Sequence, residues 1–164
     1  MSRTFVIREA EGAADIAEVR RLVTAHGAAR ATTPGVEYVY ADAARMPGPY
    51  VRPGGGIWLA VANDVGIGCV ALRPVDDVSA EVKRMFVSSE WRGVGVGRAL
   101  MKALIAGAGA RRYETLRLGT LDDMLAARAL YESLGFRPIE RYRADELVDT
   151  RFYELPLSPG ARDS

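Results

Sequence analysis

The feature of this chain that most constrains its fold is the stretch Glu81–Leu100, in which a strand-like run leads through a glycine-rich turn into a helix. Gly93, Gly95 and Gly97 lack a Cβ, so the backbone can bend tightly there and approach a ligand closely. The helix that follows adds unpaired N–H groups and the positive end of its dipole, which favour a phosphate over its first turn. The stretch therefore predicts a pyrophosphate-binding turn between a strand and a helix.

Two well-known phosphate-binding loops do not fit this turn. The dinucleotide fingerprint G-x-G-x-x-G fails because position 98 is Arg98, and a P-loop fails because no Gly-Lys-Ser/Thr follows the glycines. The pattern that fits is R-x-x-G-x-G, occupied by Arg92, Gly95 and Gly97, and further along Ala127–Phe136 reads A-x-x-L-Y-x-x-L-G-F. Together, these two signatures resemble those of the GNAT superfamily of N-acetyltransferases.

The resemblance covers about residues 56 to 157 and implies the GNAT fold, which is an α/β (α+β) fold. Its central sheet is mixed and mostly antiparallel, with about seven strands flanked by about four helices. Hydrophobic periodicity predicts a matching order of elements, and Asp122 is a candidate N-cap for the last helix. The predicted strands are 4–8, 57–62, 67–73, 80–87, 115–119, 136–140 and 152–157, and the predicted helices are 13–24, 36–45, 95–110 and one ending at Leu134. We expect a single domain over residues 1–157 and a flexible tail over residues 158–164.

The resemblance also implies an acetyl-CoA site on both sides of the turn. The backbone of one strand end is expected to bind the pantetheine arm like an added strand, and the turn is expected to hold the pyrophosphate. The strand residues are Met85, Phe86 and Val87, and the turn residues are Arg92, Gly93, Val94, Gly95, Val96, Gly97 and Arg98.

Tyr131 and Glu81 are the candidate catalytic residues. Tyr131 occupies the position whose phenol lies beside the thioester sulfur in many GNAT relatives, where it can protonate the leaving thiolate. The alternative for Tyr131 is a core aromatic residue. Glu81 matches the glutamate base of the histone-acetylating branch, with a structural ion pair as the alternative and a water chain or Glu37 as other bases. Strict strand alternation would put Glu81, Lys83, Met85 and Val87 on one face and Val82, Arg84 and Phe86 on the other.

The acceptor is the least constrained part of the prediction. Many relatives have an Asn seven residues before the tyrosine, whereas this chain has Met124, for which Asp122, Asp123 or backbone contacts would substitute. The segments expected to form the pocket, 24–55 and about 140–151, are rich in tyrosine and arginine. Such a set suits a carboxylate-bearing small amine. Its members are Tyr38, Tyr40, Tyr50, Arg52, Tyr142, Arg143 and Arg151.

Composition fits one enzyme-sized globular domain. Of the 164 residues, 49% are hydrophobic and 26% are charged, which is ordinary globular usage. The net charge of +1 gives no field that favours nucleic acid, and no apolar run approaches the roughly 20 residues that span a bilayer. The single cysteine, Cys69, fits a reducing cytoplasm, and one cysteine with one histidine argues against zinc. We therefore expect a cytoplasmic protein with no metal, nucleic-acid or membrane partner.

Taken together, these observations predict an acetyl-CoA-dependent N-acetyltransferase. It would move the acetyl group directly to a primary amine of a small molecule within a ternary complex. Two alternatives remain open: a protein N-terminal or lysine acetyltransferase, and a non-catalytic acyl-CoA-binding module. Dimerisation through the late strands is also left open.

Overall fold

Seven strands form one mixed sheet in the computed structural model, which describes residues 3–30, 35–143 and 150–157. The strands are β1 (Val6–Glu9), β2 (Gly56–Ala62), β3 (Val65–Pro74), β4 (Ser79–Val87), β5 (Thr115–Leu121), β6 (Arg137–Ile139) and β7 (Thr150–Pro156). Their order is β1-β2-β3-β4-β5-β7-β6, and only the β4–β5 pair is parallel. The prediction of a mixed, mostly antiparallel sheet is confirmed. The predicted tail, 158–164, lies outside the described residues.

Four α-helices cover the sheet, as predicted. They are α1 (Gly12–Ala29), α2 (Val36–Ala44), α3 (Val96–Ala110) and α4 (Leu125–Ser133), and a 3₁₀ turn spans Ser89–Trp91. The predicted cap at Asp122 is wrong, because a turn over Leu121–Met124 delays the start of α4 to Leu125. The Asp122 carboxylate instead accepts a hydrogen bond from Arg151. Gly135, with φ +99°, follows the end of α4 and adopts the left-handed conformation that commonly ends a helix.

Helices lie on both faces of the sheet, and this explains why the central strands are apolar throughout. In β2, Trp58 and Ala60 pack in the core beneath α3, whereas Ile57 and Leu59 pack in the core beneath α1 and α2. Every residue of β2 is therefore buried. A sheet covered on two faces buries both sets of alternating side chains.

A β-bulge interrupts β4 at Arg84. Ala71 pairs with Lys83, but Cys69 pairs with Phe86, so two residues of β4 stand opposite one residue of β3. Arg84 has φ +55°, in the left-handed region, and its carbonyl accepts a hydrogen bond from the Cys69 thiol at 3.5 Å. An extra residue of this kind leaves the ladder locally unpaired and bends the strand.

The bulge also changes which side chains share a face. Met85 and Val87 pack against the same core cluster as Val82, whereas Phe86 packs in the cluster on the opposite face. The strict alternation expected along β4 is therefore wrong beyond Lys83. One inserted residue moves every later side chain to the other face.

Candidate active site

The two parallel strands separate soon after they begin. β4 pairs with β5 only at Ser79–Glu81, opposite Thr115–Arg117. Beyond the bulge, Ser88 donates its N–H to the Ile67 carbonyl on β3 at 2.8 Å. Because successive residues of a strand point their peptide groups to opposite sides, the peptide groups of Val87 and Met85 point toward the gap beside β5. An extended ligand chain can pair with this open edge as an added strand.

The glycine-rich turn lies at the end of the gap. Gly93 and Gly95 have φ of +80° and +93°, and a Cβ at either position would meet nothing within 4 Å, so glycine is needed there for backbone conformation. Gly95 is the N-cap of α3, whose first turn contains no acidic side chain. Arg92 donates to the Val87 carbonyl at 3.1 Å, which holds its guanidinium beside the turn. These residues can bind an anion at a helix N-terminus.

A cavity of about 500 Å³ adjoins the gap. Its walls come from α1, α2, the bulged part of β4, β5, and α4 with its N-cap residue. The side chains that matter for the chemistry below are His26, Asp42, Arg84, Met85 and Tyr131.

Tyr131 lines this cavity from α4. Its side chain is 5% exposed and packs edge-on against Phe136, with the ring centroids 5.9 Å apart. Its hydroxyl has no hydrogen-bonding partner among the described residues. Burial raises the pKa of Tyr131, so the phenol stays protonated. The other buried tyrosines do have hydroxyl partners: Tyr50 with Asp42, Tyr113 with Gly54, and Tyr153 with Glu132.

Glu81 is buried, with 1% exposure, and does not line the cavity. One carboxylate oxygen accepts from Arg73 and Arg143, each at 2.8 Å, and lies 3.4 Å from the Lys83 ammonium. The other oxygen accepts from the Tyr142 hydroxyl at 2.5 Å. This geometry favours the structural ion pair that the sequence left open, while the role of general base stays a prediction. The alternative base, Glu37, is exposed and does not line the cavity.

Asp42 forms a second buried ionic cluster, on the α2 wall. It is 1% exposed and accepts from Tyr50 at 2.6 Å, from Arg84 Nε at 2.7 Å and from Arg45 at 3.0 Å. Burial by itself raises the pKa of Asp42, but the hydrogen bonds from Tyr50, Arg84 and Arg45 and the positive charge of Arg84 outweigh it, so the pKa is lowered. Asp42 therefore remains a carboxylate and fixes Arg84 in place.

His26 lies in the last turn of α1, edge-on to Phe86 at 5.4 Å between ring centroids. Burial, with the positive charges of Arg30, Arg84 and Arg92, lowers its pKa from 6.5 to about 4. The imidazole is therefore neutral at pH 7. Sequence reasoning did not identify His26, because a lone histidine in a helix does not reveal what surrounds it in the fold.

The predicted acceptor residues divide into two groups. Tyr38, Tyr50 and Arg143 line the cavity, as does Met124. The others, Tyr40, Arg52, Tyr142 and Arg151, do not. Arg52 instead pairs with Glu9, and Arg151 with Asp122.

Sequence reasoning also missed several cationic residues of the cavity wall. They come from elements far apart in the chain, and no local motif links them. They are Arg30, Arg45 and Arg73, which line the cavity together with Lys83 and Arg84 of β4.

A strand edge that opens beside an anion-binding helix N-terminus, with a side cavity for a second ligand, suits a group-transfer enzyme with a long phosphate-bearing donor. The chain matches the family model described as "Acetyltransferase (GNAT) domain" over residues 53–138, which is more than half of its 164 residues. It belongs to the GNAT acetyltransferase family, and the family resemblance is confirmed. Members of this family are acyltransferases.

Two curated relatives illustrate the similarity. The chain is 38% identical over 120 residues to an N-acetylaspartate synthetase of Danio rerio, which covers 72% of this chain and 40% of that protein. It is 34% identical over 109 residues to an uncharacterized N-acetyltransferase of Schizosaccharomyces pombe, which covers 65% of this chain and 67% of that protein. The chain thus spans less than half the length of the N-acetylaspartate synthetases that it matches.

Solved structures confirm the fold. An acetyltransferase of Streptococcus agalactiae superposes with a TM-score of 0.79 at 25% identity, over 93% of this chain and 98% of that chain. A GNAT family acetyltransferase of Elizabethkingia anophelis, crystallised with acetyl-CoA bound, superposes with a TM-score of 0.64 at 22% identity, over 93% and 98% of the two chains.

Two further findings concern the described ranges alone. Across residues 3–30, 35–143 and 150–157, no group of three or more His, Cys, Asp or Glu is arranged to hold a metal ion. None of the helices described in those ranges has the length and apolar character needed to cross a membrane.

Proposed function

We propose that this protein transfers the acetyl group of acetyl-CoA to the primary amine of a small molecule that carries a carboxylate. The observation that carries the proposal is the cavity beside the open edge of β4, whose wall holds several arginines together with a neutral histidine. A carboxylate is the small-molecule group that a guanidinium binds best, through two parallel hydrogen bonds. Since the named relatives include N-acetylaspartate synthetases, aspartate is the first acceptor to test.

The donor contacts follow from the main chain. In the proposal, the peptide groups of Met85 and Val87 along the gap bind the pantetheine arm, and the Val87 amide polarises the thioester carbonyl. The turn from Arg92 to Arg98 offers the α3 N-terminus for the pyrophosphate. Arg98 also donates to Ser133 on α4 at 2.9 Å, which ties the phosphate end of the site to the helix that carries Tyr131.

Transfer is direct in this proposal. The single cysteine, Cys69, is 1% exposed, and burial raises its pKa to about 12, so the thiol stays protonated at neutral pH and is a poor nucleophile. Tyr131 donates its proton to the departing thiolate as general acid, which its unpaired hydroxyl on the cavity wall supports. For the proton that the amine must lose, Glu81 remains the predicted base, with solvent at the cavity mouth as the alternative.

The test is a thiol-release assay with acetyl-CoA and a panel of acceptors. The panel contains L-aspartate, L-glutamate, glycine, spermidine and a short peptide with a free N-terminus and a lysine. The proposal expects the highest kcat/KM for an acceptor that bears a carboxylate close to its amine. A clear preference for the peptide would instead establish the protein acetyltransferase, and a preference for spermidine would contradict the carboxylate argument. Calorimetric titration with acetyl-CoA, with NAD as the control, tests the donor separately.

A further inference from the structure

Arg84 is the only arginine of the bulged strand segment, and its side chain is 20% exposed on the cavity wall. Its Nε donates a hydrogen bond to Asp42 at 2.7 Å, and the edge of the guanidinium formed by the two Nη groups is not used in this bond. Within the described part of the chain the Nη edge has no acidic partner, and the Tyr50 hydroxyl hydrogen-bonds the same guanidinium. Such an edge matches the two oxygens of a carboxylate.

The orientation of the Arg84 guanidinium is also fixed by its contact with Asp42. Asp42 is buried and is itself fixed by the Tyr50 hydroxyl at 2.6 Å, so the guanidinium is oriented before any ligand arrives. Preorganisation of this kind lowers the entropy lost on binding. The left-handed backbone at Arg84, φ +55°, directs the side chain to this wall at the point where β4 leaves its regular register.

Cationic side chains outnumber acidic ones on the cavity wall, where Asp42 lies among Arg30, Arg45, Arg73, Lys83 and Arg84. On α1, His26 has its pKa lowered by Arg84 as well as by Arg30 and Arg92. The cavity therefore keeps a positive potential next to its neutral imidazole, which suits an anionic ligand.

We propose that the Nη edge of Arg84 binds a carboxylate of the acceptor, with Asp42 and Tyr50 as its positioning residues. The identity of the bound molecule as an acceptor rests on the proposed function. Carboxylate binding itself does not need acetyl transfer, so the two can be tested apart.

The binding test uses succinate, a dicarboxylate without an amine, and NMR of His26, which is the single histidine of the chain. Bound negative charge next to Arg84 is expected to raise the pKa of His26 in the wild type. Arg84→Gln is expected to weaken succinate binding about tenfold or more, since one lost charge-assisted contact is worth about 1.4 kcal/mol or more. Arg84→Lys keeps the positive charge but cannot form two parallel hydrogen bonds to a carboxylate. Its affinity for succinate should therefore fall between those of the wild type and Arg84→Gln.

Arg8→Gln is the matched control, because Arg8 is exposed, pairs with Asp15 and does not line the cavity. It should bind succinate like the wild type, and titration with acetyl-CoA checks that each variant is folded. Absence of succinate binding to the wild type, or equal affinity in the wild type and Arg84→Gln, would overturn the inference. If Arg84→Gln does not fold, Arg84→Lys provides the test, because weaker succinate binding than in the wild type is expected for it as well.

Acetyl transfer separates the two proposals. If aspartate is acetylated, Arg84→Gln should raise the KM for aspartate about tenfold or more and leave the KM for acetyl-CoA unchanged. If the variant acetylates aspartate as the wild type does, this inference fails and the proposed function stands. If no acceptor in the panel reacts but succinate binds through Arg84, the proposed function fails and the inference stands.

Discussion

His26 should make the protein less stable as the pH falls below neutrality. Its pKa is about 4 in the folded chain against 6.5 for an ordinary histidine, because it is buried next to Arg30, Arg84 and Arg92. Between these two pH values the unfolded chain holds a proton on His26 that the folded chain does not. The unfolded state then binds more protons, so the free energy of unfolding decreases as the pH decreases through this window.

The size of the effect follows from the pKa interval. At about 1.4 kcal/mol per pH unit, the full interval from 6.5 to about 4 corresponds to about 3 kcal/mol. About 2 kcal/mol of this should already be lost at about pH 5, relative to about pH 8. Above about pH 7.5, His26 is almost entirely neutral in both states and contributes almost no pH dependence.

The assay is urea unfolding of the wild type and of His26→Gln at a series of pH values. Subtracting one free energy of unfolding from the other at each pH cancels the carboxylates, including Asp42, whose lowered pKa adds a loss only at more acid pH. The difference should change by about 2 kcal/mol between about pH 8 and about pH 5. Lost packing against Phe86 adds only a constant offset. Parallel curves for the two proteins would refute the argument that burial and the three arginines keep this imidazole neutral.

Three further substitutions test other parts of the site. Tyr131→Phe should lower kcat about 10²-fold with the affinity for acetyl-CoA nearly unchanged, whereas an unaltered kcat would mean that the residue only packs. Asp42→Asn should cost about 3 kcal/mol and lower Tm by about 6–12 °C, because it leaves buried donors without a carboxylate. Asp123→Asn is the control for Asp42→Asn. The exposed Asp123 carboxylate lies 3.7 Å from the Arg30 guanidinium, and its loss should lower the free energy of unfolding by less than about 1 kcal/mol. Equal losses of stability in the two variants would contradict the buried-cluster argument. Gly107→Ala should cost about 1–3 kcal/mol in denaturant unfolding, because the new Cβ would lie 2.2 Å from Trp58, and a change near zero would mean that the indole moves aside.

The fold was largely readable from the sequence because its elements are periodic and its turns carry glycine. The hairpin at Asn63 and Asp64, both with positive φ, and the left-handed Gly135 are local signals of this kind. The bulge was not readable, since arginine at position 84 is no marker of positive φ. The start of α4 was misplaced because Asp122 looks like a cap, whereas its side chain is taken by Arg151.

The candidate site was predicted in part, and the reason is its construction. The donor side lies in one continuous stretch, so a motif can describe it. The acceptor side is assembled from α1, α2, β4 and the chain near Arg143, which only the folded sheet brings together. The charged residues on both expected faces of β4 were one local signal. Lys83 and Arg84 line the cavity and pair with Glu81 and Asp42, and of these two carboxylates only Asp42 lines it.

The bulge in β4 makes the two halves of that strand differ in how they depend on sequence. Val82, Lys83, Arg84 and Met85 line the acceptor cavity, whereas in the proposal Met85 and Val87 bind the donor through peptide groups that every amino acid possesses. Under the proposed function, substitutions around Arg84 would change which amine is accepted and leave the donor contacts intact. Directed evolution toward a new acceptor should therefore succeed with a library limited to positions 82–84 and the facing turn of α2.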